Sequence, residues 1–158
     1  MPDNPLLRDG PLAPGPIVVC DIDGVLSDAS ARQRFLQRRP KDWDAFFAGC
    51  GADPQIVATV NLLDDLADDV GIVLLTSRPL HLQPVTVDWL ARHEVRWDLL
   101  LMRPEGERRR SGHLKVEVVA GLVRMGFEVR LALDDDPHVV EQYRRDGVPA
   151  LAVASGYY

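Results

Sequence analysis

The chain has 158 residues (17.6 kDa), 46 % apolar and 27 % charged, with a net charge of -6. That length and composition fit one soluble domain with a proper core, and the acidic balance argues against a surface that grips nucleic acid all over, though not against a local basic patch. No apolar run approaches membrane-spanning length, the N-terminus lacks the order of a signal peptide, and Cys20 and Cys50 show no ligand spacing, so a cytoplasmic protein without zinc is expected.

In chain order, residues 1–15 carry Pro2, Pro5, Pro11 and Pro14 with Gly10 and Gly15, which reads as an N-terminal tail or lead-in outside the folded domain of residues 16–158. Ile17, Val18, Val19 and Cys20 form an apolar run typical of a strand buried on both faces, with residues 17–21 as the first strand. Residues 28–39 look helical and basic, and residues 41–47 suit a short helix carrying Trp43, Phe46 and Phe47, residues more at home in a core than in a base-stacking platform. Asp53-Pro54 looks like a capped helix start, and the spacing of Ile56, Val60, Leu63 and Ala67 carries that helix to about residue 69. Further strands are expected at 72–75, 98–102, 128–133 and 150–154. Helices are expected from Pro84, over 114–125 and from Pro137.

Strands alternating with helices imply right-handed crossovers, hence an α/β, Rossmann-like, doubly wound sheet of five mainly parallel strands with helices on both faces. Such a sheet delivers the carboxyl ends of its strands to one edge, where ligands bind. Three strands end there in polar groups: Asp21 and Asp23, Thr76 to Arg78, and Asp134 with Asp135. Asp21-Ile22-Asp23-Gly24 alone could be an acidic turn. Three such ends at one edge are harder to ascribe to chance.

Four carboxylates suit a hard cation with oxygen ligands, by default Mg²⁺. There is no G-x-x-x-x-G-K-[ST] loop, which excludes a kinase of that kind. Attack on a phosphoryl group needs an in-line nucleophile and positive charge around the equatorial oxygens. Asp21 can supply the first. Thr76, Arg78, a lysine and the metal can supply the second, and Lys115 is one of only two lysines in the chain. His81, His93, His113 and His138 follow no ligand or triad spacing.

Four pieces, residues 18–26, 74–78, Lys115 and 131–135, resemble in order the four motifs of the haloacid dehalogenase superfamily. Residues 131–158 further resemble the phosphatase domains of bacteriophage polynucleotide kinase-phosphatases. The resemblance covers residues 16–158. It implies a Mg²⁺-dependent phosphatase acting through an aspartyl-phosphate, with Asp21 as nucleophile and metal ligand. Asp23 would protonate the leaving oxygen and then activate water, its backbone carbonyl binding metal. Thr76 and Lys115 would hold phosphoryl oxygens, and Asp134 and Asp135 would complete the metal site. Arg78 and Arg32 occupy places where arginines matter in the phage-like enzymes, with Arg34 an alternative to Arg32. No insertion is large enough for a full cap, although residues 25–52 could form a small lid.

The expected activity is removal of a terminal phosphate, 3′ above all, from nucleic acid or a nucleotide, in a nucleic acid repair setting. A phosphatase of small metabolites or nucleoside monophosphates is the alternative, and a non-catalytic binding module the second. Two basic stretches, Arg32 to Lys41 and Arg103 to Arg110, could flank the mouth and bind a phosphodiester backbone, with Arg103 a substrate-binding candidate. DNA against RNA, a homo-oligomer and a separate kinase or ligase partner stay open; no membrane partner is expected.

Overall fold

The structure is a computed structural model that describes residues 5–158. Pro16–Cys20 (β2), Gly71–Pro79 (β3), Leu99–Arg103 (β4), Glu128–Asp134 (β5) and Ala150–Ala152 (β6) are the five expected strands. With β1 (Leu6–Leu7) they build one sheet of order β1-β4-β3-β2-β5-β6, parallel except for β1 against β4. The connections carry the short helices α1 (Gln33–Leu36) and α2 (Trp43–Ala48), then α3 (Val57–Asp64), α4 (Gln83–Arg92), α5 (Ser111–Arg124) and α6 (Pro137–Arg145).

Alternation along β2 divides the core into two layers. Ile17 and Val19 join Val73, Leu75, Leu99 and Leu101 beneath Leu114, Val118 and Leu122 of α5 and Val139, Val140 and Tyr143 of α6. Val18 and Cys20 point the other way with Ile72, Leu74 and Leu100, and meet Val60 and Leu63 of α3 and Trp89 and Leu90 of α4. Successive side chains of a strand face opposite sides, so a run apolar at every position is what two covering layers require.

Three expectations need correction. The lead-in belongs in part to the fold: Leu6 and Leu7 pair with Leu100 and Leu99, and Leu12 packs on the core. Pairing at an open sheet edge gives both leucines a ladder partner and gives Leu6 partial burial, while Leu7 stays exposed; the prolines around them do not prevent it. The part of the expected tail over residues 1–4, Pro2 included, lies outside the described residues. The basic helix over 28–39 shrinks to a single-turn 3₁₀ segment, Ser30–Arg32, and α1. The third helix is Val57–Asp64 rather than a run from Pro54 to about residue 69, and its start moves because residues 54–56 pair with the turn after β2. There Asp28 N–H donates to Pro54 O, and Ile56 N–H to Leu26 O.

Candidate active site

Register explains how the acids meet. Cys20 lies between Leu74 of β3 and Leu133 of β5, and Asp21 N–H extends the ladder to Leu133 O at 2.9 Å. One step further along, Asp21 stands beside Asp134, the last residue of β5. Beyond Asp23 the chain folds back at once: Ser27 N–H bonds Ile22 O, and Gly24 N–H bonds Ser27 O. Gly24 sits at φ +81°, and a Cβ there would fall 2.1 Å from Asp135 Oδ2. Glycine is required on both counts, conformation and space.

Carboxylate oxygens of Asp21, Asp134 and Asp135, all buried, lie within 4.8 Å of one another. Lys115, from the first turns of α5 and 3 % exposed, reaches Asp134 Oδ2 at 2.6 Å and Asp21 Oδ2 at 2.8 Å. The other oxygens are oriented by the main chain: Ile22 N–H donates to Asp21 Oδ1 and Asp136 N–H to Asp134 Oδ1. Burial raises the Asp21 carboxyl, Lys115 pulls it back, and the neighbouring acids push it up again, so it stays well above the usual range. Burial, followed by the charge of Asp134, pushes Asp135 up to about 6, although a Ser155 hydrogen bond opposes the rise. Burial would lower Lys115, yet the charges of Asp21 and Asp134 outweigh it and hold the ammonium protonated. One lysine among three buried acids leaves a site short of positive charge. That is the electrostatic condition in which a hard cation binds an all-oxygen donor set.

Asp23 lies outside this acid cluster. Its carboxylate receives Arg78 Nη2 at 2.7 Å and Nε at 3.1 Å, and Arg32 Nη2 at 2.7 Å. Burial would raise its carboxyl, but the charge and hydrogen bonds of Arg78, and after them those of Arg32, hold it below the usual range. Both arginines are buried; neither borders the open cleft. The structure sets both arginines, named above as candidates, against Asp23, since a buried guanidinium must find acceptors inside the protein. Arg78 also bonds Thr86 and Ser27, and Arg32 bonds the Phe46 carbonyl. Arg34 is exposed beside Phe35, so of the two candidates it is Arg32 that enters the site.

Thr76, at 2 % exposure, borders the cleft with Asp21, Asp23, Lys115, Asp134 and Asp135. Arg103 borders it too, but its guanidinium is spent on the carbonyls of Ser77, Glu107 and Arg109 and braces the loop over 104–110. None of the four histidines borders the cleft.

Sequence reasoning missed Asp53 as part of the site. Its carboxylate accepts Arg32 Nη2 at 2.6 Å, Arg32 Nε at 2.9 Å and Ser27 Oγ at 2.6 Å, while its carbonyl accepts Trp89 Nε1 at 2.8 Å. Its place before Pro54 suggests a helix cap, and nothing local points to a partner 21 residues away.

An α/β sheet that gathers buried acids, a lysine and a hydroxyl at the carboxyl ends of β2, β3 and β5 is the architecture of a phosphatase of the haloacid dehalogenase type. The chain belongs to the family described as the polynucleotide kinase PNKP phosphatase domain, whose model matches residues 15–158. Among solved structures it is similar to a chain of the Pnkp1/Rnl/Hen1 RNA repair complex, with 24 % identity and a TM-score of 0.75 over 94 % of this chain and 45 % of that one. A chain of a second Pnkp1/Rnl/Hen1 complex matches at 25 % identity and TM-score 0.74, over 89 % of this chain and 46 % of that one. The present chain thus spans less than half the length of either. The class C acid phosphatase of Bacillus anthracis with tungstate bound shares the fold at 16 % identity and TM-score 0.63, over 93 % of this chain and 69 % of that one. No helix among the described residues is long and apolar enough to cross a membrane.

Proposed function

We propose that this phosphatase removes a terminal phosphate, preferentially a 3′-phosphate, from a nucleic acid, through a Mg²⁺-dependent aspartyl-phosphate on Asp21. The observation that carries the proposal is the triad of buried carboxylates within 4.8 Å, one of them ending the central strand, at the floor of a broad open cleft. Asp21, Asp134 and Asp135 fit a hard cation by donor type, burial and unmet charge. When bound, Mg²⁺ supplies neutralisation of these acids and polarisation of a phosphoryl oxygen.

Each residue of the site has a distinct task. A carboxylate oxygen of Asp21 bonds to phosphorus as the ester oxygen leaves with a proton. Water then attacks phosphorus, gives its proton to a carboxylate and frees Asp21 and inorganic phosphate. Asp23 suits the second step, since Arg78 and Arg32 keep it ionised and fixed in direction. Asp23 carries a proton against the same two arginines at the start of the first step and again at the end of the second. In this reading Lys115 and the Thr76 hydroxyl, both bordering the cleft, hold phosphoryl oxygens, and Lys115 also keeps Asp21 and Asp134 oriented.

A cleft of about 900 Å³ has room for more than a phosphate group, and the two RNA repair complexes support a nucleic acid end as substrate and a separate ligase or kinase as partner. Phosphate release with Mg²⁺ across 3′- and 5′-phosphorylated oligonucleotides, mononucleotides and sugar phosphates tests it. The 3′-phosphorylated oligonucleotide is expected to react fastest. Preference for a sugar phosphate would shift the assignment to a metabolite phosphatase.

A further inference from the structure

Trp43 is 48 % exposed, an unusual place for an indole in a chain of this size. It stacks on Phe47, with ring centroids 5.9 Å apart and planes 26° from parallel, and meets Phe46 edge-on at 5.8 Å. Phe46 is buried and anchored: the Arg32 guanidinium lies 4.3 Å over its ring and donates to its carbonyl at 2.7 Å. The same Arg32 holds Asp23. The aromatic group is therefore fixed to the floor of the site through one side chain.

Trp43, Phe46 and Phe47 border the same cleft as Asp21 and Lys115, and the cleft has a volume of about 900 Å³. A phosphate group alone fills a small part of that space; a nucleotide fits. The rim also carries Arg108, Arg109 and Arg110. Arg109 is taken up by Glu107 and Glu117, whereas the side chains of Arg108 and Arg110 are exposed and form no ion pair among the described residues.

We propose that Trp43, backed by Phe47, stacks the base of the nucleotide that carries the scissile phosphate, while Arg108 and Arg110 take the neighbouring phosphodiester. The inference rests on the nucleic acid reading of the site and adds how the end is recognised. Lys41 Nζ lies 5.8 Å over the Trp43 ring, at the outer limit of a cation–π contact, and a flexible ammonium yields that place to a base. Ring faces carry no hydrogen-bond code, so all four bases are accepted alike and a missing base is penalised.

The test compares kcat/KM for a 3′-phosphorylated trinucleotide with a base on the last sugar and for one abasic there, in wild type, Trp43→Ala and Trp43→Phe. Wild type should favour the base-bearing end by about tenfold to a hundredfold, the usual effect of one aromatic platform. Trp43→Ala should bring the ratio near one, and Trp43→Phe should keep most of it. A wild-type ratio near one, or the same ratio in Trp43→Ala as in wild type, overturns the stacking role and leaves the phosphatase assignment standing. Release of phosphate from neither end by wild type overturns the nucleic acid reading itself, and this inference with it.

Discussion

Arg32 Nε and Nη2 both reach the carboxylate of Asp53, at 2.9 and 2.6 Å, across 21 residues of sequence. The pair is closed off from water, with both side chains 4 % exposed. It joins the short helices after β2 to the segment before α3, and Arg32 passes the hold on to Asp23. Removing one partner of a buried ion pair leaves the other charge uncompensated, which costs about 3–5 kcal/mol. Asp53→Ala is therefore expected to lose about 3 kcal/mol in denaturant titration. Its turnover should also fall, by about a hundredfold, because misplacing a catalytic group by a fraction of its reach is that costly. Wild-type stability and wild-type turnover in this variant would contradict the linkage.

Gly24 offers a second check. Its positive φ, and the 2.1 Å that would separate an added Cβ from Asp135 Oδ2, leave no room for alanine. Gly24→Ala should destabilise the protein by about 1–2 kcal/mol from conformation alone. It should also displace Asp135 and weaken Mg²⁺ binding, which calorimetric titration would read. Unchanged Mg²⁺ affinity would detach Asp135 from the metal site.

Much of this is legible in the chain itself because a parallel sheet turns sequence order into position. Once Ile17 to Cys20, Ile72 to Leu75 and Glu128 to Leu133 read as neighbouring strands, Asp21, Thr76 and Asp134 have to meet at one edge. What escapes are contacts that no local pattern encodes. Asp53-Pro54 has the chemistry of a helix start, and only the fold reveals that Arg32 claims the carboxylate. Arg78 and Arg32 carry charge that suits a phosphate, but burial turns them toward Asp23. Leu6 and Leu7 are too short a run, between prolines, to announce an edge strand. Trp43 reads as core because aromatic spacing does not distinguish a ring facing inward from one lining a cleft.

The metal is tested by its removal. Chelation should abolish phosphate release and Mg²⁺ should restore it. It should also raise the thermal midpoint, because binding to the native state alone stabilises it by mass action. The rise should be larger in Lys115→Met, where the ammonium between Asp21 and Asp134 is gone and the cation is the remaining source of compensation. Full activity in the metal-stripped enzyme would contradict the assignment of the acid triad.

The most direct measurement is Mg²⁺-dependent phosphate release from a 3′-phosphorylated oligonucleotide by wild type and by Asp21→Asn, each first shown to be folded by circular dichroism. The amide keeps the shape of the side chain and its bond from Ile22 N–H, but it cannot act as the nucleophile. Rapid release by wild type and none above background by Asp21→Asn is the result predicted. Release by Asp21→Asn at even a tenth of the wild-type rate would contradict an aspartyl-phosphate on Asp21.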